Sequence, residues 1–125
     1  MFHNISVKEA LKLAYGKQAR LLDVRTEEEF RQGHLPTAIL AEESKIREFL
    51  KMEPELIKIL YCNYGNQSLK MARDLSLEGF EVYSIVGGYH AYEGYVETEK
   101  GRIWTMEWKS TGRGEKAVDS GRWEK

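Results

Sequence analysis

Cys62 is the one cysteine of the chain, and its neighbours give it a chemical setting. It follows the apolar run Ile57-Lys58-Ile59-Leu60-Tyr61. It precedes a polar, glycine-containing run, Asn63-Tyr64-Gly65-Asn66-Gln67-Ser68. Helical spacing begins at Leu69. A strand, a tight turn and a helix in that order carry the sulfur to the mouth of a backbone cradle. Amide N–H groups converge there, and the helix N-terminus adds positive potential. The thiolate is the attacking form of cysteine, and such a setting favours it. The bland alternative is a small buried hydrophobe, the commoner state of a free cysteine. A long polar stretch directly after Cys62 weighs against plain core filler.

The elements that must hold this cradle alternate between helix and strand. Ser6-Val7-Lys8-Glu9 has the form of a capping box, and Ala10, Leu11 and Ala14 mark one helical face before Gly16. Leu21-Leu22-Asp23-Val24 is short and apolar, as a buried strand is. Thr26-Glu27-Glu28-Glu29 is a second capping box, for a short helix ending near Gly33. Pro36 marks a turn, and Ala38-Ile39-Leu40 reads as a strand. Ile46, Phe49 and Leu50 recur at helical spacing. Ile57 to Tyr61 is the strand before the cysteine. Leu69, Met71, Ala72 and Leu75 give the following helix its buried face, and Gly79 ends it. Phe80 to Val86 is a further strand, followed by a Gly87-Gly88 turn into Tyr89 to Tyr95.

Alternation of this kind predicts an α/β fold with a central, mostly parallel sheet flanked by helices. Sites in such sheets lie beyond the C-terminal ends of the strands. Asp23 to Arg25, Cys62 and Gly87-Gly88 each follow a strand, so all three groups are expected at one edge.

Composition excludes several classes. Nineteen basic and twenty acidic residues among 125 leave no basic stripe for nucleic acid. A single cysteine excludes an internal disulfide and fits a reducing compartment. The start Met1-Phe2-His3-Asn4-Ile5 has no signal-peptide pattern, and no apolar run reaches membrane-spanning length. A soluble, cytoplasmic protein without a membrane partner is expected. His3, His34 and His90 are scattered and give no metal-ligand spacing. No Gly-Lys-Ser/Thr phosphate loop is present, so no cofactor is predicted.

Residues 1–96 read as the domain and 97–125 as a polar C-terminal extension carrying all three tryptophans. Trp104, Met106 and Trp108 alternate with polar residues, as in an amphipathic strand. Thr111-Gly112-Arg113-Gly114 reads as a turn. The extension is expected to cover an apolar patch on its own domain. Docking of a partner, or of a second copy in a homodimer, is the alternative.

In order and spacing, these pieces resemble the rhodanese-like (sulfurtransferase) family. The resemblance rests on Leu22-Asp23-Val24-Arg25, Glu28-Glu29-Phe30, Gly33-His34-Leu35-Pro36-Thr37-Ala38, Cys62 to Ser68, and Gly87-Gly88-Tyr89. It covers about residues 4 to 95. It implies a single α/β domain in which Cys62 carries a sulfane sulfur as a persulfide. It implies that Cys62 to Gln67 form the cradle, and that Asp23 and Arg25 support it. A small sulfur donor such as thiosulfate, or a persulfide-bearing protein, would load Cys62, and a thiol would accept the sulfur. The family's commonest loop has arginine where this chain has Gln67. A neutral amide in place of a charged fork predicts weaker thiosulfate binding than persulfide binding. Two other readings stand beside this one: a non-catalytic binding module and a protein-to-protein persulfide relay. Tyrosine phosphatases and arsenate reductases also place cysteine before an anion loop, but with arginine six positions on. Ser68 occupies that position here, so phosphoryl transfer is disfavoured.

Single residues in the cradle carry further expectations. Gly65 permits a positive φ. Gln67 either donates its amide to the bound sulfur or caps the helix. Asn63 and Asn66 read as turn residues. Tyr64 is expected to point outward at the pocket mouth. Asp23 is expected to tie down loop amides. Arg25 is expected to pair with Glu28 or Glu29, with charge lent to the cradle as the alternative. His34 reads as a turn residue.

Overall fold

Apolar side chains sort onto the two faces of one sheet, because successive strand residues point to opposite sides. The computed structural model describes residues 2–104. In chain order the elements are β1 (Phe2–Ile5), α1 (Val7–Tyr15), β2 (Ala19–Asp23), α2 (Glu27–Gln32), β3 (Ile39–Leu40), α3 (Ile46–Lys51), β4 (Ile57–Tyr61), α4 (Asn66–Ser76), β5 (Val82–Ile85), β6 (Tyr95–Thr98) and β7 (Gly101–Trp104). Short 3-10 turns occupy Glu43–Lys45 and Gly88–Ala91. The first five strands form one parallel sheet in the order β1-β5-β4-β2-β3.

Leu21, Ile59, Tyr61 and Ile85 face α1, whose Ala10, Leu11 and Ala14 complete that half of the core. Leu22, Leu60 and Val82 face the other way, against Ile46 and Leu50 of α3 and Met71, Ala72 and Leu75 of α4. Both halves are closed from water, as a parallel sheet requires. Each fully buried leucine or isoleucine contributes roughly 1.5–3 kcal/mol of burial.

Both predicted N-cap bonds form, but only the second completes a capping box; Glu9 does not reach back to Ser6. Ser6 accepts from the Glu9 N–H, and Thr26 and Glu29 bond each other reciprocally. One strand of the parallel sheet escaped the sequence reading, as did the hairpin strand β6 and all of β7 but Trp104. Phe2-His3-Asn4-Ile5 shows neither alternation nor a run, yet β1 pairs in parallel with β5 at the sheet edge. Strand β5 is also shorter than the apolar run Phe80 to Val86.

The chain then leaves the sheet and makes the antiparallel hairpin β6–β7. His34 and Glu97 exchange backbone hydrogen bonds, and Val96 is fully buried, so the hairpin is fastened to the α2 side. Trp104 ends β7 and meets Tyr95 edge-on. Met106, Trp108 and the Thr111–Gly114 turn lie outside the described residues. Among the described residues no helix is long and apolar enough to cross a membrane.

Thr37 is in the left-handed region (φ 71°), and its buried Oγ1 lacks a partner among the described residues. A β-branched side chain there is strained by about 1–2 kcal/mol, while glycine costs about 1 kcal/mol in chain entropy. The orphan hydroxyl tips the balance. Thr37→Gly is expected to raise unfolding stability by about 1 kcal/mol, read as a higher urea midpoint with an unchanged slope.

Candidate active site

Strand β4 delivers Cys62 to the C-terminal edge of the sheet, and α4 begins four residues later. The first N–H groups of a helix have no intrahelical acceptor. No side chain caps α4 from Gly65, its N-cap residue. Sulfur does that work. Cys62 Sγ accepts from the Gly65 N–H at 3.1 Å and the Ser68 N–H at 3.3 Å. Its thiol lies 3.5 Å from Ser68 Oγ.

The turn that allows this depends on two glycines. Gly65 sits at φ 101°, and a Cβ on it would press the Gly87 amide nitrogen at 3.0 Å. Gly88 sits at φ 65°, and a Cβ there would fall 2.5 Å from the Cys62 carbonyl oxygen. That carbonyl accepts from the Tyr89 N–H, and the Asn63 carbonyl accepts from the His90 N–H. The β5 loop thereby clamps the cysteine loop from behind.

Cys62 is 3% exposed and belongs to a buried cluster with Leu60, Met71 and Ala72. The bland reading of a small packed hydrophobe therefore describes one side of this residue. The sulfur side is different, because it faces two backbone donors and a hydroxyl.

Asp23 and Arg25 brace the front of the loop. Asp23 accepts from the Arg25 N–H at 2.9 Å, as expected for an aspartate tying down loop amides. The Arg25 guanidinium does not pair with Glu28 or Glu29. It forks onto Asp23, with Nη2 at 2.7 Å and Nε at 3.0 Å. The nearest carboxylate in space is two residues away in sequence, and an aspartate at a strand end can reach it. The remaining donors go to the Gly33 carbonyl at 2.6 Å and Asn63 Oδ1 at 3.3 Å. The cation also lies over the Tyr89 ring, 4.1 Å from its centroid. Burial would by itself lower the Arg25 pKa, but the Asp23 hydrogen bond and charge overcome it and raise the value. Arg25 is thus a committed structural cation, with its charge matched locally.

Asn63 does more than turn the chain. Its amide bridges Arg25 to Glu29, donating to Glu29 Oε2 at 2.9 Å. That hydrogen bond, against the opposing effect of burial, holds the Glu29 carboxyl below its usual range. Tyr64 points outward, 66% exposed, and stacks on His90 at 4.3 Å. Asn66 and Gln67 are exposed at the start of α4. Among the described residues Gln67 makes no side-chain hydrogen bond, so it caps nothing. His34 stacks on Phe30 and bonds its carbonyl, which keeps it with α2 and away from the sulfur loop.

Tyr61 and Ser84 join the site without a sequence signal, and Tyr89 is marked only as the end of the Gly87-Gly88-Tyr89 motif. Desolvation, reinforced by Asp23, raises the Tyr61 pKa well above its ordinary value, and its hydroxyl accepts from the Leu35 N–H. Desolvation pushes Tyr89 up to about 12. Both phenols stay neutral and act as spacers. Alternation along β5 places Ser84 on the same face as Val82, towards α4, but no motif marks it.

A cleft of about 380 Å³ lies elsewhere, between the starts of β4 and β5, lined by Leu50, Leu56, Lys58 and Phe80. Lys58 Nζ donates to the carbonyls of Leu50, Glu53 and Leu56, so its amine closes off the end of α3. The convergent polar chemistry is at the opposite end of the sheet.

A family model described as the rhodanese-like domain matches residues 6–95. The chain belongs to the rhodanese-like family. Within that family it is 30% identical to the thiosulfate sulfurtransferase GlpE of Coxiella burnetii over 100 residues, covering 78% of this chain and 94% of the relative. It is 33% identical to the protein of the same name from Pseudoalteromonas translucida, covering 74% and 90%. A rhodanese-like domain protein from Staphylococcus aureus superposes with a TM-score of 0.65 at 29% identity, covering 78% of this chain and 98% of that one. The five-stranded sheet flanked by helices is the rhodanese-like arrangement.

Removing the carboxylate beneath Arg25 leaves a buried cation without its counter-ion. Asp23→Ala is expected to cost about 3–5 kcal/mol, measured as a fall in unfolding free energy by chemical denaturation.

Proposed function

We propose that this chain is a sulfurtransferase in which Cys62 carries a sulfane sulfur as a persulfide. The observation that supports this reading most directly is the pair of backbone N–H groups, from Gly65 and Ser68, aimed at Sγ. Two fixed donors with no side-chain cation suit a singly charged sulfur species. They hold it as an oxyanion hole holds oxygen, without reorganisation during the reaction.

The reaction has two balanced halves. The Cys62 thiolate attacks the outer sulfur of a donor persulfide, R–S–S⁻. The donor S–S bond breaks, the thiolate R–S⁻ leaves, and Cys62–S–S⁻ remains. With thiosulfate the leaving group is sulfite. An acceptor thiolate then attacks the outer sulfur of Cys62–S–S⁻. A new acceptor persulfide forms, and the Cys62 thiolate is regenerated. Asn63, Tyr64, Gly65, Asn66, Gln67 and Ser68 form the binding loop, and Asp23 and Arg25 hold its shape.

Charge favours a persulfide donor over thiosulfate. Arg25 is already neutralised by Asp23. Gln67 is uncharged. Glu29 brings a carboxylate to within a hydrogen bond of Asn63. A dianion approaching this loop meets no free side-chain cation among the described loop residues, and it passes an anion. A cysteine that is only 3% exposed also favours a slender donor, with its reacting sulfur at a chain end. A protein or small-molecule persulfide has that form, and the acceptor is a thiol of the same kind.

Mass spectrometry of the intact protein, after incubation with thiosulfate or with a low-molecular-weight persulfide, tests this reading. One added sulfur is expected on Cys62, faster from the persulfide, and none on Cys62→Ala. No added sulfur from either donor would reject the enzyme in favour of a binding module. Gln67→Arg adds the missing fork of donors. It is expected to raise the thiosulfate loading rate by about tenfold, with little change for the persulfide, in a stopped time course.

A further inference from the structure

Two buried hydroxyls stand behind the sulfur. Ser68 and Ser84 are 0% and 1% exposed, and their Oγ atoms are 2.8 Å apart. Ser68 Oγ is in turn 3.5 Å from Cys62 Sγ. Ser84 comes from β5, on the face that Val82 packs against α4. A small apolar residue would fill that place without the cost of burying a hydroxyl.

We propose that Ser84 is a positioning residue for Cys62, acting through Ser68. This inference deepens the sulfurtransferase reading and rests on it for its chemical purpose. In the thiol state Cys62 S–H donates to Ser68 Oγ, and the Ser68 proton goes to the Gly65 carbonyl or to Ser84. Both acceptors lie within reach, at 3.4 and 2.8 Å. When the thiol proton leaves to solvent, the sulfur can only accept. Ser68 O–H then turns to Sγ, and Ser84 O–H turns to donate to Ser68 Oγ. The Gly65 carbonyl keeps a donor throughout, because the Leu69 N–H bonds it at 3.0 Å. Where Ser68 donates to Ser84 in the thiol state, the bond between them reverses as the sulfur ionises; where Ser68 donates to the Gly65 carbonyl, Ser84 already donates to Ser68 and keeps doing so. A hydroxyl that is itself receiving a hydrogen bond is a stronger donor, so Ser84 strengthens the third contact to the anion. The same two hydroxyls serve the persulfide anion.

Alkylation of Cys62 by iodoacetamide at fixed neutral pH reads thiolate reactivity without needing sulfur transfer. Ser84→Ala is expected to slow it about threefold, and Ser84→Thr, which restores the hydroxyl, is expected to recover most of the rate. Ser84→Thr and Ser84→Val have nearly equal volume and differ in the hydroxyl, so they form a second comparison should the alanine variant unfold. Thr faster than Val by a similar factor supports the proposal. Equal rates for wild type and Ser84→Ala, or for Thr and Val, overturn it. A slow Ser84→Ala that Ser84→Thr does not rescue also overturns it, since packing would then be the cause. Failure of the wild type to gain sulfur would count against the sulfurtransferase reading alone, because the alkylation comparison stands without it.

Discussion

A sulfur atom caps a helix, and much of the site is arranged around that bond. Helix α4 begins with donors that need an acceptor, and the usual serine or aspartate is absent from its N-cap position. Cys62 Sγ takes the place of that oxygen. The same contact satisfies the helix end and fixes the sulfur at the edge of the sheet. It also requires a left-handed turn at Gly65 and a bare backbone at Gly88, because the loop passes so close to the β5 segment. A side chain at either glycine would push the sulfur off its donors.

The electrostatic frame is built from matched charges. The Arg25 fork is filled by Asp23, the Gly33 carbonyl and Asn63, and its face is covered by Tyr89. An isolated buried guanidinium would be costly, and removal of one partner of such a pair is far worse than the absence of both. The network therefore stiffens the loop and contributes no net positive field to it. Backbone dipoles remain as the source of positive potential at the sulfur. They suit a monoanion better than a dianion, which ties the preferred donor chemistry to the way Arg25 is buried.

Much of the framework was legible from the chain. The two capping sequences, the spacing of Leu69, Ala72 and Leu75, and the apolar run before Cys62 each depend on contacts within a few residues. Local physics decides them. Four-residue β1 was not legible, because an edge strand is chosen by its partner β5 and not by its own pattern. Glu28 and Glu29 are the partners that the sequence offers Arg25. The fold instead turns its guanidinium back over Asp23. Asn63 looked like a turn residue, but its amide joins Arg25 to Glu29 across 34 positions of chain.

Residue order by itself determined the alternating fold, the rhodanese-like resemblance and the place of the lone cysteine between strand and helix. Those features follow from backbone propensity, apolar period and glycine conformation, which act over short distances. Only the tertiary structure decided how deeply Cys62 is buried, which donors reach its sulfur, and that Ser84 stands behind Ser68. Those outcomes need β2, β4 and β5 laid side by side. Side chains distant along the chain then meet within hydrogen-bond reach, and no local pattern encodes that meeting.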